Sequence, residues 1–301
     1  MNRKTRKRLL QNLILLLFSV LLMLGLLEGL LRTVDPLGID RLATTLRQMS
    51  RLIDEDDPRG FGLPPGSYPL QGNWRLTIDE DRNRLTPDAV ESDCRIVFVG
   101  DSVTIGQGVN DEDVWVNHLA DGAAAAYVNA GFSGFNIYQV SATVNNRDAD
   151  GYVYLLVNND FDINIPFEGN PAGGVRAFVQ QYVFRATYVY VVAYRSGLIR
   201  PAQPVDTGVG SEVVQPASLA NNERELAVLD RLVERDDVLI LAMEGASLTA
   251  PLVERYPEIV VIEPYTEVIS WFDAHANAQG NLQIAEAVRP ALEAFVQQRC
   301  T

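Results

Sequence analysis

The run Val97-Phe98-Val99-Gly100-Asp101-Ser102-Val103-Thr104-Ile105-Gly106-Gln107-Gly108 lies about a third of the way along a chain of 301 residues. An apolar stretch of strand character ends abruptly in Gly-Asp-Ser, and two further glycines follow. Such a run can set one small hydroxyl at the carboxyl end of a buried parallel strand, where open α/β sheets hold their ligands. A serine there becomes a nucleophile when a histidine reaches it. The chain has only two histidines, His118 and His275.

Outward from this run, strand and helix patterns alternate. Strands are expected over Arg95–Val99, Ala126–Asn129, Tyr152–Asn158, Val238–Met243 and Ile259–Ile262, short apolar segments without strict alternation, as in strands buried on both faces. Helices are expected over Asp113–Leu119, Ile137–Asn145, Leu219–Arg235 and Asn281–Gln298. In the third of these, Leu226, Leu229, Leu232 and Val233 should face the core, with Glu225, Arg231 and Glu234 outward. The alternation predicts an α/β domain with a parallel sheet covered on both faces. The stretch from Phe161 to Pro216 is longer than a usual connection, and Phe178–Tyr194 within it reads best as a helix over the sheet.

Three segments follow from the composition. Residues 1–32 are a basic tail (Arg3, Lys4, Arg6, Lys7, Arg8) and an apolar span, Leu13–Leu31, long enough for a hydrocarbon core of about 30 Å. The rival reading, a cleaved signal peptide, lacks a small-x-small site near Gly25–Arg32. The basic flank predicts a cytoplasmic N-terminus and an extracytoplasmic remainder. Residues 33–93, rich in Pro, Gly and Asp, read as a juxtamembrane stalk with a small hairpin. Residues 94–301 are the α/β domain.

Five of the 25 basic residues fall in the first eight positions, leaving 20 against 39 acidic residues beyond them. That surface disfavours nucleic acid as a partner. Both lysines, Lys4 and Lys7, lie in the tail, so no lysine remains outside for Schiff-base chemistry. The two cysteines, Cys94 and Cys300, could pair in an exported domain or be unrelated thiols. Neither has metal-ligand spacing, and the chemistry expected below needs no cofactor.

Three further patches follow Gly100-Asp101-Ser102: Val128-Asn129-Ala130-Gly131-Phe132-Ser133-Gly134-Phe135, Leu155-Leu156-Val157-Asn158-Asn159-Asp160, and Trp271-Phe272-Asp273-Ala274-His275-Ala276-Asn277-Ala278-Gln279-Gly280-Asn281. The first two follow expected strands, so they can converge with Ser102 on one sheet edge. Acyl transfer asks for a base, which His275 can supply, and for a group to orient it, Asp273 or a backbone carbonyl. The oxyanion needs donors, for which the N–H groups of Ser102 and Gly134 and the Asn159 amide are candidates. His118, in a helical setting, reads as a packing or surface residue. Asp101 reads as a loop-structuring acceptor, Asp160 and Asp162 as caps after the third strand, and Asn277 and Gly280 as shaping the final helix. Trp271 and Phe272 suit either an acyl-pocket wall or the core.

In order and content these blocks resemble the SGNH (GDSL-like) hydrolases, from about Arg95 to Val296. The resemblance implies a three-layer α/β/α sandwich with a central parallel sheet of about five strands, here preceded by one N-terminal transmembrane helix. It implies Ser102 as nucleophile, Gly134 and Asn159 in the oxyanion hole, and Asp273 and His275 completing the triad. Two features depart from the family pattern. The third block, Asn158-Asn159-Asp160, lacks the usual glycine, and Asn159 is the better match for the amide. The last block is Asp-x-His where Asp-x-x-His is common. The expectation is a membrane-anchored serine esterase acting on a small-molecule or glycan ester. An O-acyltransferase with the same residues and a non-catalytic binding module are the alternatives, and the oligomeric state is not legible.

Overall fold

A computed structural model describes residues 3–36, 38, 41, 44, 45, 48, 49, 51–54, 56–161, 188, 222–270 and 273–300. Two compact units divide them, one ending by Asp40 and including Tyr188, the other beginning at Arg41. The first holds helix α1 (Arg3–Val34), which is long and apolar enough over Lys7–Val34 to be a membrane span or a signal sequence. Its one carboxylate, Glu28, accepts from Arg32 Nε at 2.7 Å and from the Tyr188 N–H at 2.7 Å. The expected helix over Phe178–Tyr194, apart from Tyr188, lies outside the described residues, as do Asp162, Trp271 and Phe272.

The second unit opens with an antiparallel hairpin, β1 (Gly66–Leu70) and β2 (Trp74–Ile78). It continues through β3 (Arg95–Val99), α2 (Ser102–Ile105), α3 (Trp115–Ala120), β4 (Ala126–Asn129), α4 (Ile137–Asn146) and β5 (Gly151–Leu156). After the undescribed stretch come α5 (Glu223–Val233), β6 (Val238–Met243), α6 (Thr249–Arg255), β7 (Val260–Ile262) and α7 (Ala278–Arg299). The five strands β4-β3-β5-β6-β7 pair in that order, all parallel.

Successive residues of β3 serve opposite layers, as the two-residue period of a strand requires. Ile96 and Phe98 pack with Trp115 and Leu119 of α3 and with Ile284, Val288 and Leu292 of α7. Val97 and Val99 pack with Ile137, Val140 and Val144 of α4 and with Leu226, Leu229 and Leu232 of α5. The result is the three-layer α/β/α sandwich. Chain order reverses at β3, with β4 on one side and β5 on the other, so the crevice for a ligand opens at the carboxyl ends of these strands. Cys94 and Cys300 form a disulfide, with Cα atoms 5.6 Å apart, that ties the start of β3 to the end of α7.

Three expectations need correction. The α/β unit begins at Arg41, ahead of the boundary expected at 93/94, so the segment read as a stalk belongs to it from Arg41 onward. Leu63, Leu70, Trp74, Leu76 and Ile78 share a buried cluster with Ile105, Phe132 and Phe135 from the loops after β3 and β4. Its high Pro, Gly and Asp content builds tight turns on a packed surface rather than a tether. Second, Glu225 faces inward, 4% exposed, where its carboxylate accepts from the Tyr138 hydroxyl at 2.9 Å. A partner on α4 therefore overrides the helical-wheel expectation. Third, β5 stops at Leu156, and Asn158–Phe161 turns as a 3-10 helix.

Candidate active site

The Gly-Asp-Ser turn is built by local chemistry. Gly100, at φ +150°, passes so close to Thr104 that a Cβ would lie 2.2 Å from its hydroxyl oxygen. Asp101 caps α2, accepting from the Val103 N–H at 2.8 Å. Gly106 ends the helix in the left-handed region, φ +71°, which a residue with a Cβ enters at a cost. Ser102 thus stands on the first turn after β3, with its hydroxyl in the crevice.

His275 Nε2 lies 2.8 Å from Ser102 Oγ, and His275 Nδ1 lies 2.6 Å from Asp273 Oδ1. With the Nδ1–H donated to the carboxylate, Nε2 is left to accept the serine proton. Asp273 therefore orients the imidazole, across the shorter Asp-x-His spacing and without recourse to a backbone carbonyl. The spacing works because the loop is pinned on both sides. Ile269 N–H donates to His275 O at 2.9 Å, Asn277 N–H to Glu267 O at 3.1 Å, and the Tyr265 hydroxyl to Ala274 O at 2.9 Å. Asn277 also caps α7, accepting from the Gly280 N–H at 3.0 Å. A Cβ at Gly280 would lie 2.1 Å from Glu267 O.

Burial pushes the His275 pKa down, but the hydrogen bond and charge of Asp273, joined by the charge of Asp101, outweigh it and hold the value above 6.5. Burial, with the charge of Asp101 beside it, pushes the Asp160 carboxyl well above the usual carboxylate range, favouring the neutral acid. Asp160 accepts from the Tyr154 hydroxyl at 2.8 Å and the Val157 N–H at 2.9 Å. It therefore holds the turn after β5, as its reading as a cap anticipated.

The two candidate amides after β5 diverge. Asn158 turns away, its Oδ1 accepting from Leu248 N–H at 3.2 Å. Asn159 turns toward the nucleophile, its Nδ2 donating to Asp101 Oδ2 at 2.8 Å, the same oxygen that lies 3.2 Å from Ser102 Oγ. Gly134 sits in the loop after β4 at φ +83°. The N–H groups of Ser102 and Gly134 make no hydrogen bond among the described residues. His118 remains on α3, where its carbonyl accepts from Arg289 at 3.1 Å.

Sequence reasoning missed two arginines. Arg84 is buried, and its guanidinium donates to Asp111 Oδ1 at 3.0 Å and to the carbonyls of Ile105, Gly106 (2.6 Å) and Val109 (2.6 Å). It staples the end of α2. Arg59 pairs with Asp57 at 2.7 Å and reaches the Ala130 carbonyl at 3.4 Å. The one available signal was two arginines inside a segment with too many apolar residues for a free linker.

A Ser–His–Asp constellation at the strand ends of an α/β/α sandwich is thus complete. No protein-family profile matches the chain, and a search of curated proteins finds no match. Among solved structures it is similar to a carbohydrate esterase family 2 enzyme with a carbohydrate-binding domain from Corynascus thermopiles (Myceliophthora fergusii), at 14% identity over 72% of this chain and 70% of that one, TM-score 0.38. It is similar to a family two carbohydrate esterase from Cellvibrio japonicus, at 14% identity over 74% and 66%, TM-score 0.39. It is also similar to the psychrotrophic esterase EstA from Pseudoalteromonas sp., at 13% identity over 68% and 100%, TM-score 0.40. TM-scores this far below 0.5 carry no argument about the site, which rests on its own geometry.

Proposed function

We propose that this chain is a serine esterase of the SGNH type, hydrolysing a small O-acyl ester through an acyl-enzyme. The observation that carries the reading is the unbroken hydrogen-bond line from Ser102 Oγ through His275 to Asp273, at 2.8 and 2.6 Å. As Ser102 Oγ bonds to the acyl carbon, its proton passes to His275 Nε2. The carbonyl oxygen becomes an oxyanion facing the N–H groups of Ser102 and Gly134 and the Asn159 amide. Collapse breaks the bond to the alcohol, which leaves with the proton from His275. Water then repeats the sequence, releasing the acid and restoring Ser102.

The N-terminal helix anchors the enzyme, its basic flank cytoplasmic and the α/β unit outside. The Cys94–Cys300 disulfide supports that placement, since such bonds persist in oxidising compartments. The substrate is a small-molecule or glycan ester.

Labelling the full chain with a fluorophosphonate tests nucleophile activation without knowledge of the substrate. Covalent label on Ser102, abolished in Ser102→Ala and strongly reduced in His275→Ala, is expected. A folded wild-type chain that takes no label refutes the reading. Hydrolysis of p-nitrophenyl acetate by the same preparations then separates an esterase from a module that only binds.

A further inference from the structure

Beside the triad lies a narrow notch of about 30 Å³, with Gln107, Trp74, Thr45 and Asp273 among its walls and Arg41 beside them. Gln107 follows the nucleophile helix, and its backbone N–H closes the turn on Ser102 O at 2.9 Å. The residue is 3% exposed, yet Nε2 has no hydrogen-bond partner among the described residues. A buried amide hydrogen without an acceptor costs stability, so native structures nearly always give it one. Across the same notch, Asp273 receives both of its hydrogen bonds on Oδ1, from the backbone N–H of His275 (3.2 Å) and from its ring Nδ1 (2.6 Å). Asp273 Oδ2 receives none among the described residues, although the residue is 6% exposed.

We propose that the notch binds one hydroxyl oxygen, which accepts from Gln107 Nε2 and donates its own hydrogen to Asp273 Oδ2. The two walls select this chemistry between them. A carboxylate or halide could accept from Gln107 but has no proton to give Asp273. An ammonium could donate to Asp273 but cannot accept from Gln107. A hydroxyl does both, and the notch is roomy enough to admit one. The oxygen belongs either to a water or to a hydroxyl on the alcohol part of a substrate, and the second source rests on the esterase reading. With a water there, Gln107 is a positioning residue; with a substrate hydroxyl there, it binds the substrate. The added donor on Oδ2 holds the carboxylate in the plane that keeps Oδ1 on the imidazole.

Two measurements on the full chain test this. The first is a high-resolution structure of the detergent-solubilised protein, alone and with xylose. An ordered oxygen within hydrogen-bond distance of both Gln107 Nε2 and Asp273 Oδ2 in the unsoaked protein identifies water. Density there only with xylose identifies a sugar hydroxyl, and density in neither overturns the proposal. The second compares Gln107→Met with wild type on p-nitrophenyl acetate, whose leaving group has no hydroxyl, and on monoacetylated xylose. A water predicts a fall in kcat of about tenfold on both substrates with KM little changed. A substrate hydroxyl predicts a comparable loss of kcat/KM on the xylose ester alone. Wild-type rates on both substrates overturn the proposal. Should the wild-type chain hydrolyse neither ester, the esterase reading fails while the crystallographic result still decides the notch.

Discussion

Replacing Arg84 with methionine should both unfold the domain earlier and slow its chemistry. The guanidinium is fully buried, and burial lowers its pKa to about 10 despite the charge and hydrogen bond of Asp111, so it stays charged at neutral pH. Methionine fills most of the same volume, so the cavity left behind is small. What it leaves is the Asp111 carboxylate without its counter-ion and the carbonyls of Ile105, Gly106 and Val109 without their donor. Breaking a buried ion pair by removing one partner costs about 3–5 kcal/mol. For a domain of this size that is a fall in Tm of roughly 6–20 °C. Thermal unfolding followed by the fluorescence of buried Trp74 and Trp115 measures it, since α1 holds no tryptophan. The freed carbonyls belong to the end of the helix that carries Ser102, and a displacement of about 1 Å there costs on the order of a hundredfold in rate. R84M/D111L should recover part of the stability, because it removes the orphaned carboxylate, but not the rate. A Tm within 3 °C of wild type together with an unchanged kcat would refute the reasoning.

Four further outcomes follow from the site and its supports. For Asp273→Asn, kcat should fall by about 10³–10⁴-fold with little change in fold, because the amide favours the wrong imidazole tautomer; circular dichroism with ester kinetics checks both halves. The rate of the wild type should rise with pH along a limb centred above 6.5, since His275 works only as the neutral base and Asp273 and Asp101 hold its pKa up. In Asp273→Asn that limb should move down, as burial is then opposed only by Asp101. The sign for stability is the reverse: the contribution of protonated His275 is complete below 6.5 and is lost as pH rises through the folded-state pKa. Cys94→Ser/Cys300→Ser should lower the unfolding free energy by about 2–5 kcal/mol, towards the upper end because the bridge closes a long loop, with a sequence separation of 206. Chemical denaturation with and without reductant reads this directly. Finally, Gly134→Ala should cost about 1 kcal/mol at φ +83° and lower kcat more than it raises KM, as steady-state kinetics would show.

Much of the sheet was legible because its strands are short, apolar and separated by periodic helices. Ala126–Asn129 and Val238–Met243 appear with the bounds expected of them. From Arg41 to residue 93 the stalk reading misled because turn-forming residues have the same composition in a linker and in a packed hairpin. Only the partners differ, and Ile105, Phe132 and Phe135 lie far along the chain. Glu225 misled for the same reason, its partner Tyr138 being 87 positions away. Which of Asn158 and Asn159 faces the nucleophile depended on a 3-10 turn that no periodicity announces.

By itself the sequence determined the layer architecture, the placing of Ser102 after a buried strand, and a choice between only two histidines. These are local properties, written in the spacing of apolar residues and in the scarcity of one residue type. Only the tertiary structure decided that Asp273 reaches His275 across a single intervening residue, that the two cysteines pair, and that Arg84 clamps the nucleophile turn from a segment that reads as a tether. Each depends on the distance between groups remote in sequence or on the exact path of a loop. Hydrogen bonds and ion pairs act over about 3 Å in space, and sequence separation carries no record of that distance.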